Sequence, residues 1–383
     1  MIYFDNPATT FPKPNCLSEE ISKCIKFYCG NPGRSSHSLS IKSAEKIYDT
    51  RALLAKIFGA SSENVIFTYN TTYALNIAIK SLLKPHSHVL ISDIEHNAVL
   101  RPIISLSRQN LCSYSLFCTD GACEDILKSI EDSITSDTNM LICTHCSNVG
   151  ERRLPIKEIG ALCREKGITF IVDGAQSAGV HQINVHDMCI DALCIPAHKS
   201  LYGPQGLGMI IFNDDIIGKT IIEGGTGINS LESEMPDFLP ERYEAGTMST
   251  PLISGLYESL KWLTDIGIDN IRAYEEELYK TALDLLSINK RIIVYKMNSY
   301  PGNTLMFNIK GLPASIVSSE LDKRGICTRG GFHCAPLAHQ KLKTGPGGAL
   351  RIGFSVFNTK KEIFSFYEAI CEIIKEYKKP IIN

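Results

Sequence analysis

Short apolar runs alternate with stretches of helical periodicity from about residue 60 onward, and this alternation constrains the fold more than any other feature. Strands that are covered on both faces of a parallel sheet have such near-continuous apolar sequences. The alternation therefore predicts an α/β unit with a mainly parallel sheet and helices on both faces. The predicted strands span 64–69, 88–92, 140–145, 168–173, 191–196 and 208–212, and the clearest helices span 71–83 and 155–167.

The pattern changes after about residue 250. A helical stretch at 252–288 comes first, followed by strands at 291–296, 304–309 and 349–356 and by helices at 313–323 and from about 359. This order is typical of a smaller α+β unit, and the first 15 residues are expected to pack near it. We therefore predict a large domain at 15–255 and a small α+β domain made of 1–14 and 256–383.

The charge balance and the cysteine content argue against several classes of protein. The formal net charge is −2 and the pI is about 6.6, so no partnership with nucleic acid is indicated. The sequence has no apolar run near the ~18 residues that cross a bilayer, and its start does not resemble a signal peptide. Fourteen cysteines without such a signal predict a reducing compartment and a cytoplasmic protein.

Most of the thiols are expected to be structural. Buried free thiols are predicted for the cysteines in apolar or amphipathic stretches, which are Cys24, Cys29, Cys112, Cys163, Cys189 and Cys194. Cys143 and Cys146 form a CxxC pair with His145 between them, which leaves a redox or zinc role open. A second pair at zinc-finger spacing is missing from the sequence, so we predict no metal site.

Polar side chains stand where the predicted strands end, which is where ligands bind in open α/β sheets. Thr71 and Thr72 begin a helix, and a helix N-terminus suits a phosphate, although Asn70 could simply cap the helix. Asp173 ends a buried strand, where it could pair with a pyridinium nitrogen or form an Asp-Gly turn. Gln176 follows closely enough to reach a ring oxygen.

Two further strand ends carry a lysine and a histidine. Lys199, beside His198, could be solvated or could form a Schiff base next to an electron sink. His96 could stack on a flat cofactor or could be an ordinary turn histidine. Together these groups match pyridoxal 5′-phosphate (PLP) better than a nucleotide, because the sequence has neither a P-loop motif nor a GxGxxG motif after a strand.

Motifs along nearly the whole chain resemble those of the class V aminotransferase-fold enzymes, in the branch of cysteine desulfurases and selenocysteine lyases. They are "YFDNPATT", "GNPGRSSHSLS", "TTYALN", "EHNAV", "SNVGERRLPI", "VDGAQSAG", "AHKSLYGPQG", "RYEAGT", "RGGFHCAP" and "RIGFSVFNT". The resemblance implies a PLP-transferase fold of type I and a role for each matching residue.

The resemblance assigns the cofactor contacts. Lys199 matches the lysine that forms a Schiff base with PLP. The other matching positions are Thr72 and His198 for the phosphate, with Thr71 beside them, Asp173 for the ring nitrogen, Gln176 for the ring oxygen and His96 for the ring face. Thr247, in "EAGT", matches a threonine that reaches the phosphate of the neighbouring subunit, which implies a homodimer with shared active sites.

The resemblance also assigns the chemistry, with Lys199, Cys334 and His96 as catalytic residues. Cys334 matches the nucleophile that takes sulfur from L-cysteine as a persulfide and leaves L-alanine. Asn148 and Arg351 match the groups that hold the substrate carboxylate, with Arg329 assisting. Arg329 and His333 are expected to favour the thiolate of Cys334. The glycine-rich segment is expected to let the sulfur swing out to an acceptor protein.

Two departures from the family pattern concern phosphate and sulfur. Pro196 stands where the family often has Ser or Thr, so phosphate binding must depend on the remaining residues. Residues 334 and 351 are 17 positions apart, which is typical of shorter sulfur loops that need a dedicated acceptor. A selenocysteine lyase, or another class V PLP lyase or aminotransferase, is the first alternative function. A non-catalytic scaffold of the same fold is the second.

Overall fold

The computed structural model describes residues 1–33, 36–150, 152–213, 216–297 and 304–377. Its strands are β1 (Ile2–Tyr3), β2 (Val65–Thr68), β3 (Ser87–Ser92), β4 (Cys112–Phe117), β5 (Thr138–Thr144), β6 (Thr169–Asp173), β7 (Ala192–Pro196), β8 (Gly208–Phe212), β9 (Ile292–Tyr295), β10 (Thr304–Ile309), β11 (Ile326–Cys327), β12 (Arg329–Gly331) and β13 (Ala349–Gly353). Its α-helices are α1 (Asn15–Phe27), α2 (Ser38–Phe58), α3 (Thr71–Leu82), α4 (Asn97–Arg108), α5 (Cys123–Ser133), α6 (Ile156–Lys166), α7 (Thr250–Ile266), α8 (Ile268–Ile288), α9 (Ala314–Asp322), α10 (Pro336–Leu342) and α11 (Lys360–Glu376).

The large sheet has seven strands in the order β2-β8-β7-β6-β5-β3-β4. Only β8 runs against its neighbours, so the prediction of a mainly parallel sheet is confirmed. The connection from β7 to β8 covers residues 197–207, which is too short for the helical crossover that a parallel pair needs. The edge strand β4 was not predicted, because its four central residues are exposed and form no continuous apolar run.

Helices cover both faces of this sheet, and the side chains of each strand alternate between the two faces. Leu90 and Phe170 point into a core with α2, α6 and α7, whereas Val89 and Ile171 point into a second core with α3 and α4. Burial on both faces explains the continuous apolar runs from which the strands were predicted.

A second, antiparallel sheet has the order β12-β13-β10-β9. It shares a core with α8, α9 and α11, and β1 pairs in parallel with β11 nearby. The helical stretch predicted at 252–288 is two helices, because the chain turns at Gly267 with a φ of 89°. Since α7 contacts α1 and α2 of the large unit, the domain division at residue 255 stays a prediction.

All fourteen cysteines lie within the described ranges and are free thiols. The prediction of burial is wrong for Cys29, which is exposed just after α1, and for Cys189, which is half-buried in a turn at a φ of 52°. Burial is observed for the rest of that set, which is Cys24, Cys112, Cys163 and Cys194. In the part of the chain that the structure describes, no helix is long and apolar enough to cross a membrane, and no cluster of metal-ligand side chains occurs.

Candidate active site

The carboxyl ends of β2, β3, β5, β6 and β7 lie at one edge of the large sheet, and a cavity of about 140 Å³ opens there. This edge is where an open α/β sheet is expected to bind a ligand. Eight of the predicted site residues line the cavity, namely Thr71, Thr72, His96, Asn148, Asp173, Gln176, His198 and Lys199. Residues that lie more than a hundred positions apart in sequence are thus brought together.

Lys199 and Asp173 form the polar centre of the cavity. Burial, reinforced by Arg351 and Arg329, lowers the pKa of the Lys199 amine to about 8, and Asp173 only partly offsets this. Burial also raises the pKa of the Asp173 carboxyl, against the backbone N–H of Ala175, which donates to it at 2.9 Å. An amine with this pKa is partly unprotonated near neutral pH and can attack a carbonyl group.

An N-terminal segment holds the backbone beside Lys199, and sequence reasoning missed this contact. The Thr10 hydroxyl donates to the carbonyl of Lys199 at 2.9 Å. The Lys13 amine donates to the carbonyl of His198 at 2.6 Å, and burial lowers its pKa to about 7. Thr10 ends the "YFDNPATT" motif and Lys13 follows it. The polar residues of this motif were the only feature of the sequence that could have indicated a contact with the site.

One end of the cavity fits a phosphate group. Asn70 caps α3 by accepting the N–H of Tyr73 at 3.1 Å, so its capping interpretation is correct. The helix N-terminus that follows still faces the cavity with its free backbone donors. His198 is neutral, because burial lowers its pKa to about 4, and its buried Nδ1 has no partner among the described residues. A phosphate oxygen would accept from the helix N–H groups, and from Nδ1 of His198 in the tautomer that carries its proton there.

His96 and Gln176 have defined orientations in the cavity wall. The Nδ1 atom of His96 accepts the N–H of Ala98 at 3.0 Å, which places the ring proton on Nε2. Burial lowers the pKa of His96 to about 4, so the ring is a neutral, flat surface. Gln176 donates one amide hydrogen to the carbonyl of Pro7 at 2.9 Å and keeps the second for another acceptor.

A buried carboxyl next to His96 was also missed. Glu95 accepts the N–H of Thr144 at 2.8 Å through one oxygen, and its other oxygen has no partner within the described residues. Burial raises its pKa to about 8, and the neighbouring Asp173 adds to this effect. Glu95 is therefore mostly a neutral acid at pH 7. The sequence shows a glutamate after a strand but not that it turns inward.

The residues predicted to hold a substrate carboxylate lie together next to the cavity. The Nη1 atom of buried Arg351 donates to the carbonyl of Asn148 at 3.3 Å. Its Nη2 atom donates to Asp5 at 2.9 Å, an ion pair that sequence reasoning did not anticipate. Arg329 is exposed, and its backbone lies opposite that of Arg351 in the antiparallel register of β12 and β13. Of these residues, only Asn148 lines the 140 Å³ cavity.

Cys334 is exposed in the loop between β12 and α10 and lines a second cavity of about 660 Å³. The two cavities share Thr72, His96 and Ala98, so the thiol lies next to the lysine site. His333 was expected to favour the thiolate of Cys334, but it carries no positive charge with which to do so. Burial and the neighbouring Arg351 lower the pKa of His333 to about 2, and its ring is neutral.

Thr247 and Pro196 do not line the lysine cavity. Thr247 is exposed and lines a separate cavity of about 280 Å³ together with Asn31, Gly33 and Tyr48. Pro196 ends β7 with its side chain buried and is not among the residues that line the 140 Å³ cavity. Within one chain, Thr247 therefore does not reach the helix N-terminus at Thr72.

The large sheet, the lysine cavity and the cysteine loop can be compared with those of known protein families. The family model "Aminotransferase class-V" matches residues 2–366, and the chain belongs to this family. The family prediction made from the motifs is confirmed.

Individual relatives and a solved structure within this comparison are named as cysteine desulfurases. The chain is 30% identical to a protein named "Probable cysteine desulfurase" from Methanothermobacter thermautotrophicus, over 97% of this chain and 94% of the relative. It is 29% identical to a cysteine desulfurase from Haloferax volcanii, over 97% of this chain and 88% of that protein. The apo structure of a cysteine desulfurase from Thermococcus onnurineus superposes with a TM-score of 0.89 at 28% identity, covering 98% and 95% of the two chains.

Six buried or half-buried histidines make the protein sensitive to acid, which is a first testable prediction. Burial is the main reason why six imidazoles have pKa values between about 2 and about 4, and these are His96, His145, His181, His198, His333 and His339. In the unfolded chain they titrate near pH 6.5. Below that pH only the unfolded chain binds these protons, so stability falls as the pH drops. Each such histidine contributes a loss of about 1.4 kcal/mol per pH unit.

Glu95 has the opposite effect, because its pKa is raised in the folded state. The folded chain therefore takes up one proton before the unfolded chain does as the pH falls, and this proton stabilises the folded state. The free energy of unfolding, measured with urea, should therefore fall steeply from pH 6.5 to pH 5. Equal free energies at the two pH values would contradict the assignment of neutral buried rings.

Proposed function

We propose that the chain is a PLP-dependent cysteine desulfurase, which converts L-cysteine to L-alanine and transfers the sulfur to Cys334. The observation that carries the proposal is the adjacency of two cavities. One contains Lys199 and Asp173, the other is lined by Cys334, and His96 belongs to both. The names of the relatives support the same reaction.

The residues of the first cavity fit PLP. A half-buried amine with a lowered pKa, a buried carboxyl, a helix N-terminus and an imidazole nitrogen without a partner among the described residues match its aldehyde, pyridine nitrogen and phosphate. The holding residues would be Lys199 for the aldehyde carbon, Asp173 for the ring nitrogen, Gln176 for the ring oxygen, His96 for the ring face, and Thr71, Thr72 and His198 for the phosphate. When bound, PLP stabilises the electron pair left on a substrate carbon after a bond breaks.

The protein's own groups then carry the proton and the sulfur. The Lys199 amine takes the α-proton of L-cysteine, for which its lowered pKa suits it. The Cys334 thiolate attacks the substrate sulfur, so that an S–S bond forms while the bond between Cβ and sulfur breaks. Cβ takes up a proton equivalent to the one that the Cys334 thiol lost, and the Lys199 ammonium returns a proton to the α-carbon, which yields L-alanine. Arg351 and Asn148 orient the substrate carboxylate, and Asp5 fixes the guanidinium.

The overall reaction can be tested on the cofactor-loaded enzyme. With L-cysteine and a thiol reductant, we expect alanine and sulfide to form in equal amounts. Absence of both products, with cofactor bound, would overturn the proposal. Alanine without sulfide would argue against turnover through a reducible persulfide.

A homodimer with shared sites forms part of the proposal. Thr247 lies beside Asn31 and Gly33 and does not line the lysine cavity of its own chain. Large apolar side chains are exposed near the phosphate end, where Tyr69 is 65% and Tyr73 is 47% exposed. A second chain that covered this surface would bury them and could bring its Thr247 to the phosphate.

Mixed dimers test the sharing of sites. A Lys199→Ala chain and a Thr247→Val chain should each be impaired alone, the second through cofactor affinity weakened about 10- to 100-fold by loss of a hydrogen bond to a charged group. If sites are shared, the mixed dimer contains one site with Lys199 and Thr247 both intact. Activity at limiting cofactor should then reach about half that of the unaltered dimer. Activity no higher than that of Thr247→Val alone would exclude sharing.

A protein acceptor in the cytoplasm completes the proposal. The Cys334 loop is short, and the carbonyl of Cys334 accepts the N–H of Asn97 at 2.7 Å. Because the backbone is attached at this point, we infer that the sulfur swings out mainly by rotation of the Cys334 side chain. An acceptor that brings its own nucleophile to the exposed thiol fits this geometry better than a long loop that carries the sulfur to a distant acceptor.

A further inference from the structure

Cys334 lies in a loop whose backbone conformation needs outside support. His333 has a φ of 49° and Cys334 a φ of 58°, both in the left-handed region that side chains other than glycine seldom adopt. Consecutive residues in this region persist only where surrounding contacts hold them. The contacts of His333 therefore decide where the thiol of Cys334 stands.

His333 is attached on its backbone and on its ring. Its carbonyl accepts the side-chain amide of Asn148 at 2.7 Å, which links the loop to a predicted substrate residue. Its ring is buried, although the neighbouring Phe332 and Cys334 are exposed. The ring therefore anchors the loop in the interior, while the next residue presents its thiol outward.

A chain of hydrogen bonds runs inward from this ring. The Nε2 atom of His333 lies 3.1 Å from the carbonyl of Arg329, and its Nδ1 atom lies 3.1 Å from Nε2 of His339. The Nδ1 atom of His339 lies 2.8 Å from the hydroxyl of Thr344. The two rings stack with centroids 5.3 Å apart at 18°.

The protons in this chain have a single consistent arrangement. Burial and Arg351 lower the pKa of His333 to about 2 and that of His339 to about 4, and Arg329 lies near His333, so both rings are neutral. A carbonyl can only accept, so Nε2 of His333 carries its proton and Nδ1 must accept. His339 then donates from Nε2, and the Thr344 hydroxyl donates to Nδ1 of His339.

We propose that His339, oriented by Thr344, is a positioning residue that holds Cys334 in place for sulfur transfer through its hydrogen bond to His333. The role rests on the proposed function, because it presupposes Cys334 as the nucleophile. Loss of the donor would leave a buried acceptor on His333 without a partner, and the ring would no longer anchor the strained loop.

The N–H of Asn97 reports the position of the loop without any turnover. It is the first backbone donor of α4, has no partner within the helix and donates to the carbonyl of Cys334. In His339→Leu we expect hydrogen exchange at Asn97 to accelerate at least about 10-fold. We expect kcat for L-cysteine to fall by a similar factor while the visible spectrum of the bound cofactor stays unchanged.

Two further variants sharpen the test. His339→Gln keeps a donor and an acceptor and should restore both the exchange rate and kcat to within about threefold of the original enzyme. His186→Leu replaces an exposed histidine with 68% of its side chain accessible and should change neither quantity.

The outcomes distinguish a local effect on the Cys334 loop from a general loss of stability and from failure of the proposed reaction. Faster exchange confined to Asn97, with rescue by His339→Gln, supports positioning. Equal acceleration at core amides such as Ile171 and Leu193 would overturn it, as would an unchanged kcat in His339→Leu. If the original enzyme forms no alanine, the proposed function fails, and the Asn97 exchange still decides whether His339 holds the loop.

Discussion

Replacing Lys199 with alanine should lower the formation of alanine from L-cysteine by at least about 10³-fold, because one group is proposed both to hold the cofactor and to move the α-proton. The amine is the side chain with a pKa near 8 in the cavity and lies beside Asp173. Product formation and the visible absorption of the cofactor should be measured together on the same protein.

Two comparisons make the Lys199→Ala result specific. Lys219→Ala alters a lysine that lines the neighbouring 660 Å³ cavity and should retain most of the activity. Adding a small primary amine to Lys199→Ala should restore part of the rate, since the missing group is a base of that type. A Lys199→Ala protein with more than about a tenth of the original rate would contradict the assigned role.

Replacing Cys334 with alanine should abolish sulfide release from L-cysteine, also by at least about 10³-fold, because the attacking thiolate is lost. The lysine cavity does not include Cys334, so cofactor binding and the spectral change on adding L-cysteine should persist. The matched control is Cys118→Ala, which removes another exposed thiol and should leave the rate unchanged.

Measuring selenide release from selenocysteine in Cys334→Ala distinguishes a selenocysteine lyase from a cysteine desulfurase. A selenol is more acidic than a thiol and leaves more easily, so a lyase would depend less on Cys334. If Cys334→Ala still releases selenide at the original rate, and the unaltered enzyme also prefers selenocysteine, the lyase is favoured. Loss of both activities supports the desulfurase.

The fold class could be predicted because its strands are buried on both faces. Continuous apolar runs such as 168–173 identified the central strands, and the parallel sheet followed from their alternation with helices. The strand Cys112–Phe117 escaped because an edge strand with exposed residues has no such run. The reversed direction of β8 depends on the length and path of one loop, which periodicity does not report.

Much of the candidate site could also be predicted, because ligand residues in such folds follow strand ends. Asp173 and Lys199 were found in this way, and the family motifs added Cys334 and Arg351. The contact of Asp5 with Arg351 escaped because it joins segments that are 346 positions apart in sequence. The neutral state of His333 could not be foreseen, since burial decides it and the sequence shows only a histidine beside a cysteine.

The most direct measurement is the mass of the peptide that contains Cys334 after brief exposure of the loaded enzyme to L-cysteine without a reductant. We predict an added mass of one sulfur atom on Cys334, lost after treatment with a thiol and absent from Lys199→Ala. Alanine formation with an unmodified Cys334, or added sulfur only on another cysteine, would contradict the account.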